Sequence, residues 1–352
     1  MKRKLPEIGT DEAKAWAEEW DSQTHIGKMK LCQWYHIKYQ SGKNFRHSCQ
    51  VKQPAEKRVL HKASWEEHIE TIKKMDDLVA LHQYAPTEIS LKIETKLPVA
   101  ITFTADWQLG MFGTDYDSFQ VDMCVIETEP GLFAYIGGDG YQNIIERSKI
   151  GSSHNQVPIS VQKGLYVLTQ KKLIKKILCI GTGNHNYWTA LAEGEDWDAE
   201  LARRLKLVYT KHGGIVNLKV GNMLYPIFRQ HKGRFSSSFN LTHSCKQYQR
   251  MYCPQARIVV IEHEHIAAVE QYRYNDNECV AIRTGTYGVY DDFAQQQGFY
   301  GAHVANPTVI LYPKEDRLVA FKDLQDAVIY LRAVRNLDGR IERPDKYNTK
   351  LV

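Results

Sequence analysis

Five short apolar runs punctuate the middle of the chain: VAITFTAD (99–106), LFAYIGGD (132–139), ILCIGTGNH (177–185), LYPIFRQH (224–231) and RIVVIEHEH (257–265). Each ends in glycine or polar residues and is too short for an ordinary helix, so each predicts a buried strand. Between them lie helical patterns, ISVQKGLYVLTQKKLIKKI (159–177) and EDWDAELARRLKLVYTKHG (195–213). Strands alternating with helices predict an α/β or mixed (α+β) architecture, with helices packed on sheet faces. Ahead of this region, Ile89, Leu91 and Ile93 alternate with polar residues as a half-buried strand does. Ser64-Trp-Glu-Glu67 is a capping-box pattern, and Trp65, Ile69, Ile72, Met75 and Val79 come after it at helical spacing, predicting a helix over about 64–82. Phe321, Leu324, Val328, Leu331 and Val334 make an amphipathic C-terminal helix, expected to dock on its own chain.

The first residues read differently. Helical stretches near Asp11–Trp20 and Lys28–Trp34 precede the polar, basic segment Tyr39–His47, an order that suits a helix-turn-helix module able to bind DNA; a helical extension packed on the main domain is the alternative. The division expected is a small helical module (1–55), a linking helix and strand (56–96), a main domain (97–313), and a C-terminal helix with a tail (314–352).

Composition narrows the class. Hydrophobic content of 43% and charged content of 25% fit an ordinary globular protein. No stretch approaches the roughly 18 consecutive apolar residues of a membrane span, so no membrane anchoring is expected. Seven cysteines without a C-x-x-C pair read as reduced thiols, as in a cytoplasmic protein. A net charge of +5 neither demands nor excludes nucleic acid.

The ends of the five runs carry the chemistry: Asp106-Trp-Gln108, Gly138-Asp139, Gly183-Asn184-His185, His231, and His263-Glu264-His265. In α/β sheets ligands bind beyond the carboxyl ends of strands, so five such ends can converge on one site. Residues i and i+2 of an extended segment share a side, which would let Asp106 act with Gln108, and His263 with His265. One such pair alone means little. Five clusters of metal-ligand residues, about 30 to 50 residues apart, are hard to obtain by accident.

In this order the motifs resemble those of the calcineurin-like metallophosphoesterases, the family that includes purple acid phosphatases and double-strand-break repair nucleases, and the overall arrangement looks like phage or prophage members. The resemblance spans about 97–313. It implies a two-sheet β sandwich flanked by helices, with two divalent metal ions at its edge. By matching motif, Asp106, Gln108 and His265 would hold the first metal, Asn184, His231 and His263 the second, and Asp139 would bridge both. His185 would serve as general acid or electrostatic stabiliser, a role suited to a group whose ordinary pKa is about 6.5. Two ions about 3.5 to 4 Å apart clamp a phosphate and activate a water for in-line attack on phosphorus. The proposed ligands carry only two formal negative charges, Asp106 and Asp139, so a loaded site stays positive towards an anionic ester.

Four positions depart from the family pattern. Gln108 replaces the usual histidine by an amide oxygen, a harder ligand, which favours Mn²⁺, or Mg²⁺, over softer ions; Fe²⁺ and Zn²⁺ are the other candidates. Glu262 stands where glycine is usual and is expected to point away from the cavity, in a structural or outer role. Asn186 stands where an acid is common, and Asn143 lies late for the polar residue expected after Asp139.

Lys232 and Arg234, directly after a ligand, suit phosphate contacts, and Phe235 or Phe239 suit stacking on a base. Arg283 ends another strand and is expected at the same rim. Two functions remain open: a nuclease-type phosphodiesterase acting on DNA, and a phosphatase or nucleotide hydrolase acting on a small ester. A non-catalytic scaffold is the third, but a scaffold has no physical need for so many convergent ligands. Oligomeric state is not legible.

Overall fold

A computed structural model of the chain describes residues 4–51, 64–83, 87–145, 148, 157–290 and 303–341. The chain divides into two compact units, Met1–Leu81 and His82–Val352. The expected tail beyond 341 and the segment 52–63 lie outside the described residues.

The first unit contains α1 (Asp11–Ser22), α2 (His25–Trp34), α3 (Tyr39–Val51) and most of α4 (Trp65–Gln83). Thr10 and Thr24 accept from the backbone N–H groups of Ala13 and Gly27 and so cap α1 and α2. Trp16, Trp20, Leu31 and Cys32 form the small core, with the Trp16 and Trp20 rings stacked at 5.2 Å. Gly42 lets α3 close on that core: a Cβ there would sit 2.7 Å from the Trp20 ring and 2.9 Å from Cys32 Sγ. The capping box at the head of α4 forms as read, with Ser64 N–H donating to Glu67 Oε2 at 2.7 Å and Glu67 N–H to Ser64 Oγ at 3.2 Å. Trp65, Ile72 and Met75, whose spacing predicts this helix, are exposed.

The second unit is a sandwich of two mixed sheets flanked by helices. Its strands are β1 (Glu88–Ile93), β2 (Val99–Thr104), β3 (Leu132–Ile136), β4 (Ile177–Ile180), β5 (Gly213–Val220), β6 (Met223–Lys232), β7 (Ile258–Glu262), β8 (Ala268–Tyr274), β9 (Asn277–Arg283), β10 (Thr308–Leu311) and β11 (Leu318–Phe321). Its helices are α5 (Tyr116–Thr128), α6 (Ile159–Lys172), α7 (Asn184–Glu193), α8 (Trp197–Leu205), α9 (His243–Tyr252) and α10 (Leu324–Ile341). One sheet has the order β11-β10-β2-β3-β4 and the other β1-β5-β6-β7-β9-β8. All five apolar runs are strands. β2, β3 and β4 pair in parallel, as do β6, β7 and β9.

Burial on both faces explains why these runs are mainly apolar on both sides of the period-2 alternation. Val99, Ile101 and Phe103 of β2, with Phe133 and Tyr135 of β3, face the core between the sheets, where they meet Ile227, Ile258, Val260 and Ile282 of the second sheet. Ala100, Leu132, Ala134 and Ile136 face the other way, into the layer of Phe119, Tyr166 and Leu331 from α5, α6 and α10. Val259 and Ile261 pack outward under Cys245 of α9. α10 therefore docks on its own chain, as its periodicity implies. Among the described residues no helix is long and apolar enough to cross a membrane, and all seven cysteines are free.

Candidate metal centre

Parallel pairing sends the carboxyl ends of β2, β3 and β4 to one end of the first sheet, and those of β6 and β7 to one end of the second. The five clusters meet where those ends come together. Ligand atoms of Asp106, Asp139, His231 and His263 all lie within 4.8 Å of one another. His231 Nε2 is 3.1 Å from both Asp139 Oδ2 and Asn184 Oδ1. His265 Nε2 is 3.4 Å from Asp106 Oδ1 and 3.5 Å from Gln108 Nε2. Asp106, Gln108, Asp139 and His231 are buried, while His185, Asn184, His263 and His265 are half-buried at the mouth.

The route to this convergence differs from strand alternation. β2 stops at Thr104 and β7 at Glu262, and the ligands beyond them are not extended. Asp106, Gln108, Asp139, His263 and His265 all have positive φ, between 51° and 77°. Left-handed backbone is costly for non-glycine residues and gathers at functional sites, where surrounding contacts hold it. Those contacts are visible. Trp107 is fully buried between the two ligands of its motif, its indole N–H donating to Thr104 Oγ1 at 2.7 Å. Asp106 N–H and Gln108 N–H donate to the carbonyls of Gly138 and Asp139, and Thr286 and Thr114 hydroxyls donate to the Asp106 and Gln108 carbonyls.

His231 corrects a second expectation: it lies inside β6, not past its end. The β6–β7 pairing shifts register between Gln230 and Lys232, leaving His231 at a bulge, and a bulge re-aims a side chain. At Gly138 only a residue without Cβ fits. A Cβ there would stand 2.4 Å from Gly183 N and 2.6 Å from His231 Nδ1.

Beneath His231 lies a buried pair whose role in the site is not legible from its motif. Glu262 Oε2 accepts from Gly138 N–H at 2.9 Å and sits 3.0 Å from His231 Nδ1. Arg229, wholly buried, grips both Glu262 oxygens, Nε to Oε1 at 2.6 Å and Nη2 to Oε2 at 2.5 Å. A carboxylate on Nδ1 fixes the tautomer and leaves Nε2 facing the cluster. The signal for Arg229 was a cation inside the apolar run LYPIFRQH, two residues before the ligand. Glu262 is indeed turned from the cavity, into this support.

The electrostatics agree. Burial would raise the Asp139 pKa, but His231 and His185 outweigh it and hold the carboxyl well below its usual range. Burial pushes against ionised Glu262 too, yet Arg229 brings it down to about 2. His263 is lowered to about 4 by burial and by neighbouring His231.

The donor set fits divalent cations. Asp106 Oδ1, Gln108 Oε1 and His263 Nδ1 are buried without a hydrogen-bond partner among the described residues. Buried polar atoms are ordinarily satisfied, so three orphaned acceptors in one cluster mark a missing positive partner. Carboxylate, amide and imidazole donors suit Mn²⁺, Mg²⁺, Fe²⁺ or Zn²⁺.

No protein-family model matches the chain, and no curated protein does. Solved structures are similar at low scores. A Streptococcus pneumoniae protein described as a predicted phosphoesterase shares 11% identity, with 64% of this chain and 100% of that one covered, at a TM-score of 0.32. The calcineurin-like phosphoesterase YfkN of Bacillus subtilis shares 10% over 68% of this chain and 100% of its own, at 0.37. Vps29 of Entamoeba histolytica, solved with zinc, shares 10% over 63% and 90%, at 0.34. Two of these three are described as phosphoesterases. Likeness at this level carries no argument about chemistry; the ligand cluster does.

His185 and Asn143 adjoin the centre. His185 N–H donates to Asp139 Oδ1 at 2.8 Å, and His185 Nδ1 is 2.7 Å from the Gln142 carbonyl. A carbonyl only accepts, so Nδ1 carries a proton and Nε2 is the atom free to exchange one. Trp188 packs on the ring at 4.2 Å. Asn143 supports the start of α7, its amide donating to the His185 carbonyl at 2.6 Å. Asn186 donates to buried Asp198 at 2.9 Å, whose pKa burial raises to about 7. Lys232 and Arg234 are exposed, as are Phe235 and Phe239. Arg283 is only 4% exposed and lies 3.3 Å from Glu264, between the two histidines of that motif.

Proposed function

We propose that the chain is a metal-dependent phosphoester hydrolase of the calcineurin-like type, acting as a phosphodiesterase on DNA. The observation that carries this is the meeting of five distant segments in one buried cluster with orphaned acceptors. Asp106, Gln108 and His265 would hold one cation, Asn184, His231 and His263 a second, with Asp139 shared between them. Bound there, two cations would neutralise a phosphate and lower the pKa of a water for in-line displacement.

The chain's own residues would do the rest. His185 would give a proton from Nε2 to the leaving oxygen, its ring held by the Gln142 carbonyl and Trp188. Glu262 and Arg229 would keep His231 in register. Arg283 would hold Glu264, and so the turn that carries His263 and His265; the direct contact with substrate expected of it needs that pair to open. Exposed Lys232 and Arg234 would meet backbone phosphates, and Phe235 and Phe239 would stack on bases, which favours a polynucleotide over a small monoester.

The test is hydrolysis by purified protein with Mn²⁺ of a small aryl phosphodiester, an aryl phosphomonoester, single-stranded DNA and duplex DNA. Turnover of the diester and of DNA, abolished by EDTA and restored by Mn²⁺, is expected. Turnover of the monoester alone would replace the nuclease reading with a phosphatase, and none on any substrate would favour the scaffold.

A further inference from the structure

None of the residues assigned to the metal centre lies in the N-terminal unit, whose charge is unevenly distributed. Residues 4–21 carry six acids, Glu7, Asp11, Glu12, Glu18, Glu19 and Asp21. Residues 22–51, which span α2 and α3, carry five cations, three histidines and no acid at all. Arg46 is already engaged, its guanidinium donating to both Asp21 oxygens at 2.8 to 3.2 Å, and this pair ties α3 to α1. Lys30, Lys38 and Lys43 remain exposed.

α2 and α3 are joined by the four residues Tyr35–Lys38, with His36 at φ 51° turning the chain and Ile37 N–H closing on the Cys32 carbonyl at 3.0 Å. Inward, α3 offers Gly42 and Phe45 to the tryptophan core. Outward it offers Gln40, Ser41, Lys43, Asn44 and His47, all exposed. That face is one of amide, hydroxyl, ammonium and imidazole groups. Asn and Gln suit adenine edges, Lys suits guanine or phosphate, and the absence of carboxylates removes repulsion from the backbone.

From this arrangement we infer that α3 is a recognition helix for the major groove of duplex DNA, with α2 and the Tyr35–Lys38 turn carrying phosphate contacts. Helix, short turn and second helix is the arrangement that presents such a face to a groove. The partner is identified by charge complementarity: a cation-only surface with short polar side chains fits a phosphate-walled groove, whereas an acidic peptide would leave the amides and hydroxyls without use. This shares the nucleic-acid part of the proposed function, so its test keeps binding apart from hydrolysis.

Full-length protein in EDTA is titrated with a random-sequence duplex of about 20 base pairs, with single-stranded DNA and with duplex RNA, at several salt concentrations, by fluorescence anisotropy. The double variant Lys43→Glu/His47→Glu is compared with Glu12→Lys on α1; both change exposed positions. Expected is at least about tenfold weaker duplex DNA binding for the α3 variant, with a shallower salt dependence. Glu12→Lys should bind as tightly as wild type or more so. Both should keep wild-type circular dichroism and Mn²⁺-dependent turnover of a small diester. Duplex DNA affinity within twofold of wild type for the α3 variant would overturn the inference. So would a loss confined to single strands or to RNA. Loss of diester turnover with intact α3-dependent binding would count against the hydrolase reading alone.

Discussion

His185 and Glu262 separate chemistry from support at the scale of single residues. His185 hydrogen-bonds Asp139 through its backbone N–H, while its ring bonds the Gln142 carbonyl, so its side chain should be dispensable for holding metal. His185→Ala should therefore keep its Mn²⁺ while kcat falls by about 10²- to 10⁴-fold, the usual range for an acid-base group; loss of the metal instead would remove the proton-transfer role. Glu262 acts through His231. Glu262→Gln should weaken Mn²⁺ binding by about 10- to 100-fold, as loss of a carboxylate behind a ligating histidine typically does, read by titration calorimetry. Arg229→Leu should be worse for folding than for metal, since it strands a buried carboxylate. The expected cost is about 3 to 5 kcal/mol in denaturant melts, and unchanged stability would mean that Glu262 is not ionised there.

At the scale of elements, the strand ends are where sequence and structure part company. The apolar runs announced the five strands because both faces of each are largely covered, which favours apolar residues at most positions. The segment just past each strand was legible as chemistry but not as conformation. Positive φ at Asp106 and Gln108 is held in part by hydrogen bonds from Thr286 and Thr114 to their carbonyls, partners that lie outside the Asp-Trp-Gln motif. The bulge at His231 likewise depends on pairing with β7, which no local pattern in LYPIFRQH encodes. Glycines make this testable. Gly138→Ala would push a Cβ into Gly183 backbone, so metal binding should collapse and stability drop. Gly164, within α6, has nothing within 4 Å of an added Cβ, and Gly164→Ala should stabilise by about 0.5 to 1 kcal/mol in thermal or denaturant melts.

For the molecule as a whole, folding, protonation and metal binding are one linked equilibrium. Without metal, His231 stands between Asp139 and Glu262; burial lowers its pKa, but the two carboxylates outweigh burial and raise it to about 10. That protonated histidine stabilises the metal-free fold fully below about pH 6.5, its unfolded value, and the contribution is lost as pH climbs through the raised value. A cation at Nε2 must displace the proton. Mn²⁺ affinity should therefore strengthen between about pH 6 and pH 8, by up to about tenfold per unit, with proton release seen in calorimetry across buffers of different ionisation enthalpy. Flat affinity over that range would mean that His231 is neutral before metal arrives. The ligand set was readable because five such clusters recur past successive apolar runs, where one alone would mean little. The buried Arg229–Glu262 pair beneath it was not, because a lone cation in an apolar run has no partner until the fold brings one.

Counting bound metal tests the central claim most directly. Equilibrium dialysis against Mn²⁺ with elemental analysis should give about two ions per chain for the wild type, the number a shared carboxylate between two sites implies, and well under one for Asp139→Asn. A wild-type protein that retains no more Mn²⁺ than Asp139→Asn would contradict the account.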